Sequence, residues 1–134
     1  MSRIEYSCIF CDDVRTEISG KHSFIGVYAD SLILQDVPNE DSVTAALPRF
    51  FIVCFLRNLD KRKKYSLFVE QTGVDKKEYD VPDDAKKQNE KLVFIFEMNN
   101  FVVPVSGNLK VSLVSGKDKL LIGDLSLVLN KAKK

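Results

Sequence analysis

Apolar side chains recur at every second position along most of this chain. Within residues 92–97, leucine and phenylalanine alternate with valine, isoleucine and glutamate, and similar runs extend from residue 6 to residue 129. A period of two places successive side chains on opposite faces of an extended strand, whereas a helix repeats every 3.6 residues. The pattern therefore predicts a chain that is built from β-strands throughout.

Turn residues divide the alternating runs into eight to nine short strands. Residues 76–81 contain two lysines, which discourage pairing with another chain and therefore predict an edge strand. Asn99 and Asn100 separate two apolar runs and tolerate left-handed backbone, so they predict a tight hairpin turn. The polar segments 36–48 and 82–91 are predicted loops. Together these features predict an all-β fold, a two-sheet antiparallel sandwich of C2-like or immunoglobulin-like type.

Residues 49–56 form the strongest predicted core strand. Seven consecutive apolar residues follow Arg49, so both faces of this strand are apolar. Such a run is typical of a central strand that is covered on two sides. The second side could be covered by another layer of the same chain or by another copy of the protein, and the sequence favours neither.

Composition narrows the possible partners. The chain has 134 residues, which predicts one domain over residues 1–134, and its 20 Lys and Arg against 19 Asp and Glu give a net charge of +1. So small a net charge provides no overall electrostatic field that would attract nucleic acid or an anionic membrane. The N-terminus has no apolar leader, and no apolar run approaches the ~20 residues of a membrane span, so we expect a cytoplasmic protein.

Cys8 and Cys11 have the spacing found in some redox and zinc sites. On a strand, however, residues three apart point to opposite faces, and the redox version of the motif works at a helix N-terminus. Cys54 and His22 would complete a set of four zinc ligands, but their positions in the sequence do not support one. We therefore predict reduced, buried thiols and no metal or cofactor.

Two groups of charged residues are candidates for binding. Aspartates that end or follow strands could gather around calcium, although no D-x-D-x-D spacing is present; they are Asp12, Asp13, Asp30, Asp36, Asp75 and Asp80. A basic cluster could contact phosphates or could be a solubilising loop; it consists of Lys61, Arg62, Lys63 and Lys64.

The first third of the chain carries a resemblance. The run Phe10-Cys11-Asp12-Asp13-Val14-Arg15-Thr16-Glu17 is followed by Gly20-Lys21, by Phe24-Ile25-Gly26-Val27-Tyr28 and by Leu47-Pro48-Arg49-Phe50. This order resembles the opening of a family of small uncharacterised bacterial proteins, some of them phage-borne, and a looser likeness continues over residues 92–129. The resemblance implies a C2-like or immunoglobulin-like sandwich and leaves the activity open.

The resemblance and the charged residues point to the same connection. Its five ionisable side chains would form either a self-contained charge network or a binding edge; they are Asp12, Asp13, Arg15, Glu17 and Lys21.

Three functions follow in order of preference. The first is a non-enzymatic protein-interaction or assembly module, because the chain combines a dense apolar core with no recognisable nucleophile, metal cluster or phosphate loop. The second is a calcium- or phospholipid-responsive domain that uses the acidic loops and the basic cluster. The third is an enzyme or binder for a small phosphorylated ligand, with Arg15, Lys21 and His22 as its polar groups. The expected partner is another protein, and a homo-oligomer is compatible with the sequence.

Overall fold

The computed structural model describes residues 4–37, 45–83 and 91–131, with backbone only for residues 36, 37 and 131. Nine β-strands lie within these residues. They are β1 Glu5–Thr16, β2 His22–Tyr28, β3 Ser31–Val37, β4 Ala45–Arg57, β5 Ser66–Gln71, β6 Val74–Asp80, β7 Lys91–Val103, β8 Gly107–Ser115 and β9 Asp118–Lys131. The prediction of an all-β chain with eight to nine strands is confirmed.

The strands form two sheets. Sheet A has four strands in the order β2-β1-β4-β7, and sheet B has five in the order β3-β9-β8-β5-β6. Every pair is antiparallel except β3 with β9, which run parallel. The two-sheet sandwich is thereby confirmed, and its finer C2-like or immunoglobulin-like type stays a prediction.

The main core lies between the inner faces of the two sheets. β4 contributes Phe50, Ile52, Cys54 and Leu56, whereas β8 and β9 contribute mainly leucine and valine. The Phe50 ring stacks on Phe101 with centroids 4.3 Å apart. Burying side chains of this size contributes about 1.5–3 kcal/mol each, so this layer supplies most of the driving force for folding.

A second, smaller core lies on the outer face of sheet A, the face that points away from sheet B. It is centred on Cys11, Phe51 and Val53, all of which are buried. β1 pairs with β4 only as far as Cys11, and beyond that point it pairs with β2 alone. The centroid of the Phe24 ring nevertheless lies 5.9 Å from the centroid of the Phe55 ring. Phe55 lies near the other end of the ladder between β1 and β4.

The distal half of the β1–β2 hairpin, residues 12–26, therefore bends back across the outer face of sheet A; we call it the cover hairpin. Gly26 has a φ of 67°, a conformation that costs glycine little. The cover hairpin explains why residues 49–56 are apolar on both faces: the second covering layer comes from the same chain.

One predicted turn is wrong. Asn99 and Asn100 do not end a strand, because β7 continues through them and stays paired with β4 as far as Val103 opposite Ala45. Asn100 does adopt a left-handed φ of 56°, but only as an irregularity within the strand. Much of the two predicted loops lies outside the described residues. The described parts of residues 36–48 extend β3 and β4, residue 91 begins β7, and residues 82 and 83 belong to no strand.

Candidate functional site

A concave surface lies where the sandwich is open. β6 is the last strand of sheet B and β7 is the last strand of sheet A, and both lie at the same side of the molecule. Between them runs a groove of about 550 Å³, which we call the β6–β7 groove. A concave surface of this size, with an apolar floor and a few polar groups, is typical of binding sites.

The floor of the groove consists of inner-face side chains that the other sheet covers only in part. Phe96 and Met98 of β7 are half-buried, whereas Val69 of β5 is fully buried beneath them. Tyr79 of β6 packs on Phe96 with ring centroids 4.7 Å apart. Because the Tyr79 side chain remains 36% exposed, one face of this aromatic pair is available to a ligand.

Polar residues form the rim of the groove. Asp75 and Lys77 lie on the β6 side, and Glu97 and Asn99 lie on the β7 side. Lys77 is paired with the buried Val69, which places the two side chains on the same, inward face. At one end the Gln71 side chain donates a hydrogen bond of 2.8 Å to the Val102 carbonyl and joins the two sheets there.

The five ionisable residues that the sequence singled out are all exposed or half-buried near the cover hairpin, but they do not converge on one site. The Tyr28 hydroxyl donates a hydrogen bond to the Asp12 carboxylate. Burial of the phenol raises the pKa of Tyr28, and this hydrogen bond raises it further. Glu17 accepts a hydrogen bond of 3.0 Å from the Ser23 hydroxyl, and Lys21 is exposed at the tip.

Asp13 belongs to a different arrangement. Its carboxylate lies 3.6 Å from Arg15 and 3.4 Å from Arg49, and Arg49 in turn lies 3.3 Å from Glu97. The Arg49 guanidinium also lies over the Phe51 ring, 5.2 Å from its centroid. This row of charges crosses the outer face of sheet A from β1 to β7 and includes only Asp13 and Arg15 of the five residues that the sequence singled out.

The basic cluster lies in the turn between β4 and β5. Arg62 pairs with Asp60 at 3.3 Å, and the Asp60 carboxylate also accepts the Arg62 backbone N–H. These two hydrogen bonds lower the pKa of Asp60. Lys61, Lys63 and Lys64 are exposed beside it, and none of the four basic residues lines the β6–β7 groove.

The thiols and the candidate metal ligands are also separated. Cys11 lies on the outer face of sheet A, whereas Cys8 belongs to the main core beside Cys54, as expected for strand residues three apart. His22 instead contacts the Thr16 hydroxyl at 3.1 Å. In the described part of the chain, no group of three or more His, Cys, Asp or Glu is placed to hold a metal ion.

The described residues include no helix long and apolar enough to cross a membrane. No protein-family model matches the chain, and no curated protein matches it either.

The sequence did not identify the β6–β7 groove. Phe96 and Met98 look like ordinary inner-face residues, and nothing in the alternation shows that the opposite strand leaves them half covered. The one available signal was Lys77, because a lysine that alternates onto the inward face of a strand indicates that this part of the interior is open to water.

Proposed function

We propose that this protein is a non-enzymatic interaction or assembly module, and that another protein docks at the β6–β7 groove. The observation that carries the proposal is the open side of the sandwich, where an apolar floor lies beside two edge strands. An exposed edge strand offers unpaired backbone N–H and C=O groups to an extended segment, and the adjacent apolar floor can accept its alternate side chains.

The charged residues support a binding role over a catalytic one. Asp13, Arg49 and Glu97 compensate one another in ion pairs, and Arg15, Lys21 and His22 do not line the groove. A phosphorylated ligand would need several cations directed at one point. Arg15, Arg49 and Arg62 are instead each paired with a carboxylate of the same chain.

A display library of random linear peptides tests the proposal, because it samples the short extended segments that a partner could present. We expect enrichment of peptides with apolar residues at alternate positions. Replacement Tyr79→Ala should weaken their binding by roughly thirtyfold, because truncating a central aromatic residue at an interface costs about 2 kcal/mol. The matched control is Ile33→Ala, which removes an exposed apolar side chain of 48% exposure from the far edge of sheet B.

The proposal fails if no peptide is enriched over an unrelated protein. It also fails if the enriched peptides bind the Tyr79→Ala and Ile33→Ala variants equally well, since the groove would then not be the binding surface.

A further inference from the structure

The four edge strands in the described part of the chain differ in how well they are protected against pairing with another chain. β6 carries Lys76 and Lys77, β2 is interrupted at Gly26 by a φ of 67°, and β3 has a register shift after Leu34. Lysines and irregular backbone are the usual means of preventing edge-to-edge pairing. β7 has neither feature over residues 92–99, where its register with β4 is continuous.

No strand among the described residues pairs with the free edge of β7. The β6–β7 groove separates this strand from sheet B, and the hydrogen bond from Gln71 reaches only the far end at Val102. On the outer face of sheet A, Val93 and Ile95 remain 42% and 40% exposed, because the cover hairpin lies over β1 and β4 instead. A long, regular edge strand with exposed apolar side chains is a template for strand addition.

The outer-face residues of β7 are self-complementary. From Lys91 onward they read lysine, valine, isoleucine and glutamate at every second position. In an antiparallel pair of two copies centred on Phe94, Lys91 lies opposite Glu97 of the second copy, and Val93 lies opposite Ile95 of the second copy. By two-fold symmetry each of these pairs occurs twice. Opposite charges and apolar pairs directly across two strands are the contacts that stabilise a sheet.

We infer that a second copy of this chain docks on β7, joining the two A sheets into one eight-stranded sheet around a two-fold axis at Phe94. This inference rests on the proposed function and names its partner. Such pairing would cover Val93 and Ile95 and supply hydrogen bonds to the free edge of β7. It would also place the inner-face residues of the second β7 at the mouth of the groove.

Sedimentation velocity over a wide range of protein concentrations tests the inference. We expect a reversible monomer–dimer equilibrium in the wild type and a monomer for Ile95→Lys at every concentration. Leu121→Lys is the matched control, because Leu121 is an apolar residue of 45% exposure on sheet B, and it should associate as the wild type does. Circular dichroism checks that each variant is folded.

Charge reversal tests the register. Lys91→Glu alone and Glu97→Lys alone should each raise the dimer Kd by about tenfold or more, because each creates two like-charge pairs. An equimolar mixture of the two single variants should associate more tightly than either variant alone. In the mixed dimer both cross-strand pairs join opposite charges, whereas in the dimer of either single variant both pairs join like charges. Amides of β7 should also exchange more slowly with solvent in the associated state.

A wild type that remains monomeric at all concentrations overturns the inference. So does a dimer that Ile95→Lys leaves intact, or a pair of charge variants that each associate as tightly as the wild type. These outcomes are distinct from failure of the proposed function: a monomer whose peptide ligands are lost on Tyr79→Ala retains the groove as a binding site and excludes only the second copy.

Discussion

Cys8 and Cys54 face each other across β1 and β4, with their Sγ atoms 3.9 Å apart in the main core. The contact between the two thiols and the burial of Cys54 raise the pKa of the Cys54 thiol. Burial likewise raises the pKa of Cys11, on the other side of the same sheet. Since the thiolate is the reactive form, these thiols belong to the packing of the sandwich.

We therefore predict that Cys11 and Cys54 resist thiol–disulfide exchange in the folded protein. Titration with a chromogenic disulfide reagent at neutral pH should report at most the half-buried Cys8 in the native state and all three thiols after denaturation. Rapid native reaction of all three, under conditions where circular dichroism shows a folded protein, would contradict the assignment of the thiols to the core.

Gly123 on β9 provides the space that Cys8 occupies. A methyl group on residue 123 would lie 2.6 Å from the Cys8 Sγ atom and 2.9 Å from its Cβ atom. We expect Gly123→Ala to destabilise the protein by about 1–3 kcal/mol, as overpacking of a core usually does.

Denaturant unfolding of the double variant Cys8→Ala/Gly123→Ala tests whether the loss of stability comes from overpacking against Cys8. Its loss of stability should be smaller than the sum of the two single losses by at least about 0.5 kcal/mol, because the sulfur atom has been removed from the crowded position. Simple additivity would show that the two residues do not compete for the same space.

The cover hairpin contributes to stability through Phe24. This half-buried side chain packs edge-on against Phe55 and over the second core, so we expect Phe24→Ala to cost about 1–3 kcal/mol. The neighbouring Ile25 is 42% exposed, and Ile25→Ala should cost less than about 1 kcal/mol. Equal losses for the two variants, measured by urea unfolding, would mean that the hairpin does not cover sheet A as described.

An ion pair on sheet B gives the stability a dependence on acid pH. Lys119 donates a hydrogen bond of 2.6 Å to Glu70, and this contact lowers the pKa of the Glu70 carboxyl. A lowered pKa in the folded state means that the contribution is present above the unfolded pKa of about 4.3 and is lost as the pH falls through the folded value.

Lys119→Met should accordingly reduce stability by less than about 1 kcal/mol near neutral pH, because both partners are exposed and solvent screens the pair. The difference from the wild type should disappear at low pH, where Glu70 is protonated in both states. Lys117→Met, on the same turn, is the control. A constant difference at all pH values would point to lost packing by the lysine stem rather than to the ion pair.

Calcium should leave the thermal midpoint unchanged. Asp12 and Asp13 are engaged by Tyr28 and by two arginines, and in the described part of the chain no three acidic residues are grouped to hold a metal ion. The Asp36 side chain lies outside the described residues. Thermal melts with calcium and with a chelator measure the effect directly. A rise of the midpoint with calcium would revive the calcium-responsive alternative, because only a ligand that favours the folded state can stabilise it.

Only part of the row of charges on the outer face of sheet A could be predicted from the sequence. Asp13 and Arg15 were recognised as charged neighbours and do form an ion pair, but Arg49 and Glu97, which extend it across the sheet, come from strands far away in the sequence. Alternation specifies which way a side chain points relative to its own strand. It does not specify which strand lies alongside.

The sequence alone was enough to predict an all-β chain, because apolar side chains at every second position lie on one face of a strand and can be buried together. It also determined that Cys8 and Cys11 lie on opposite faces, since three residues along a strand reverse the direction of the side chain. The hairpin predicted at Asn99 and Asn100 was wrong for a tertiary reason: pairing of β7 with the start of β4 provides backbone hydrogen bonds that carry the strand past these residues.

Which apolar outer faces are covered depends on the tertiary structure. β4 and β7 both present apolar side chains outward, yet the cover hairpin bends over Phe51 and Val53 and leaves Val93 and Ile95 in solvent. That bend, together with the separation of β6 from β7, depends on contacts between residues far apart in the chain. Local patterns therefore specify the strands, whereas the long-range packing of whole strands determines which surface remains open for a partner.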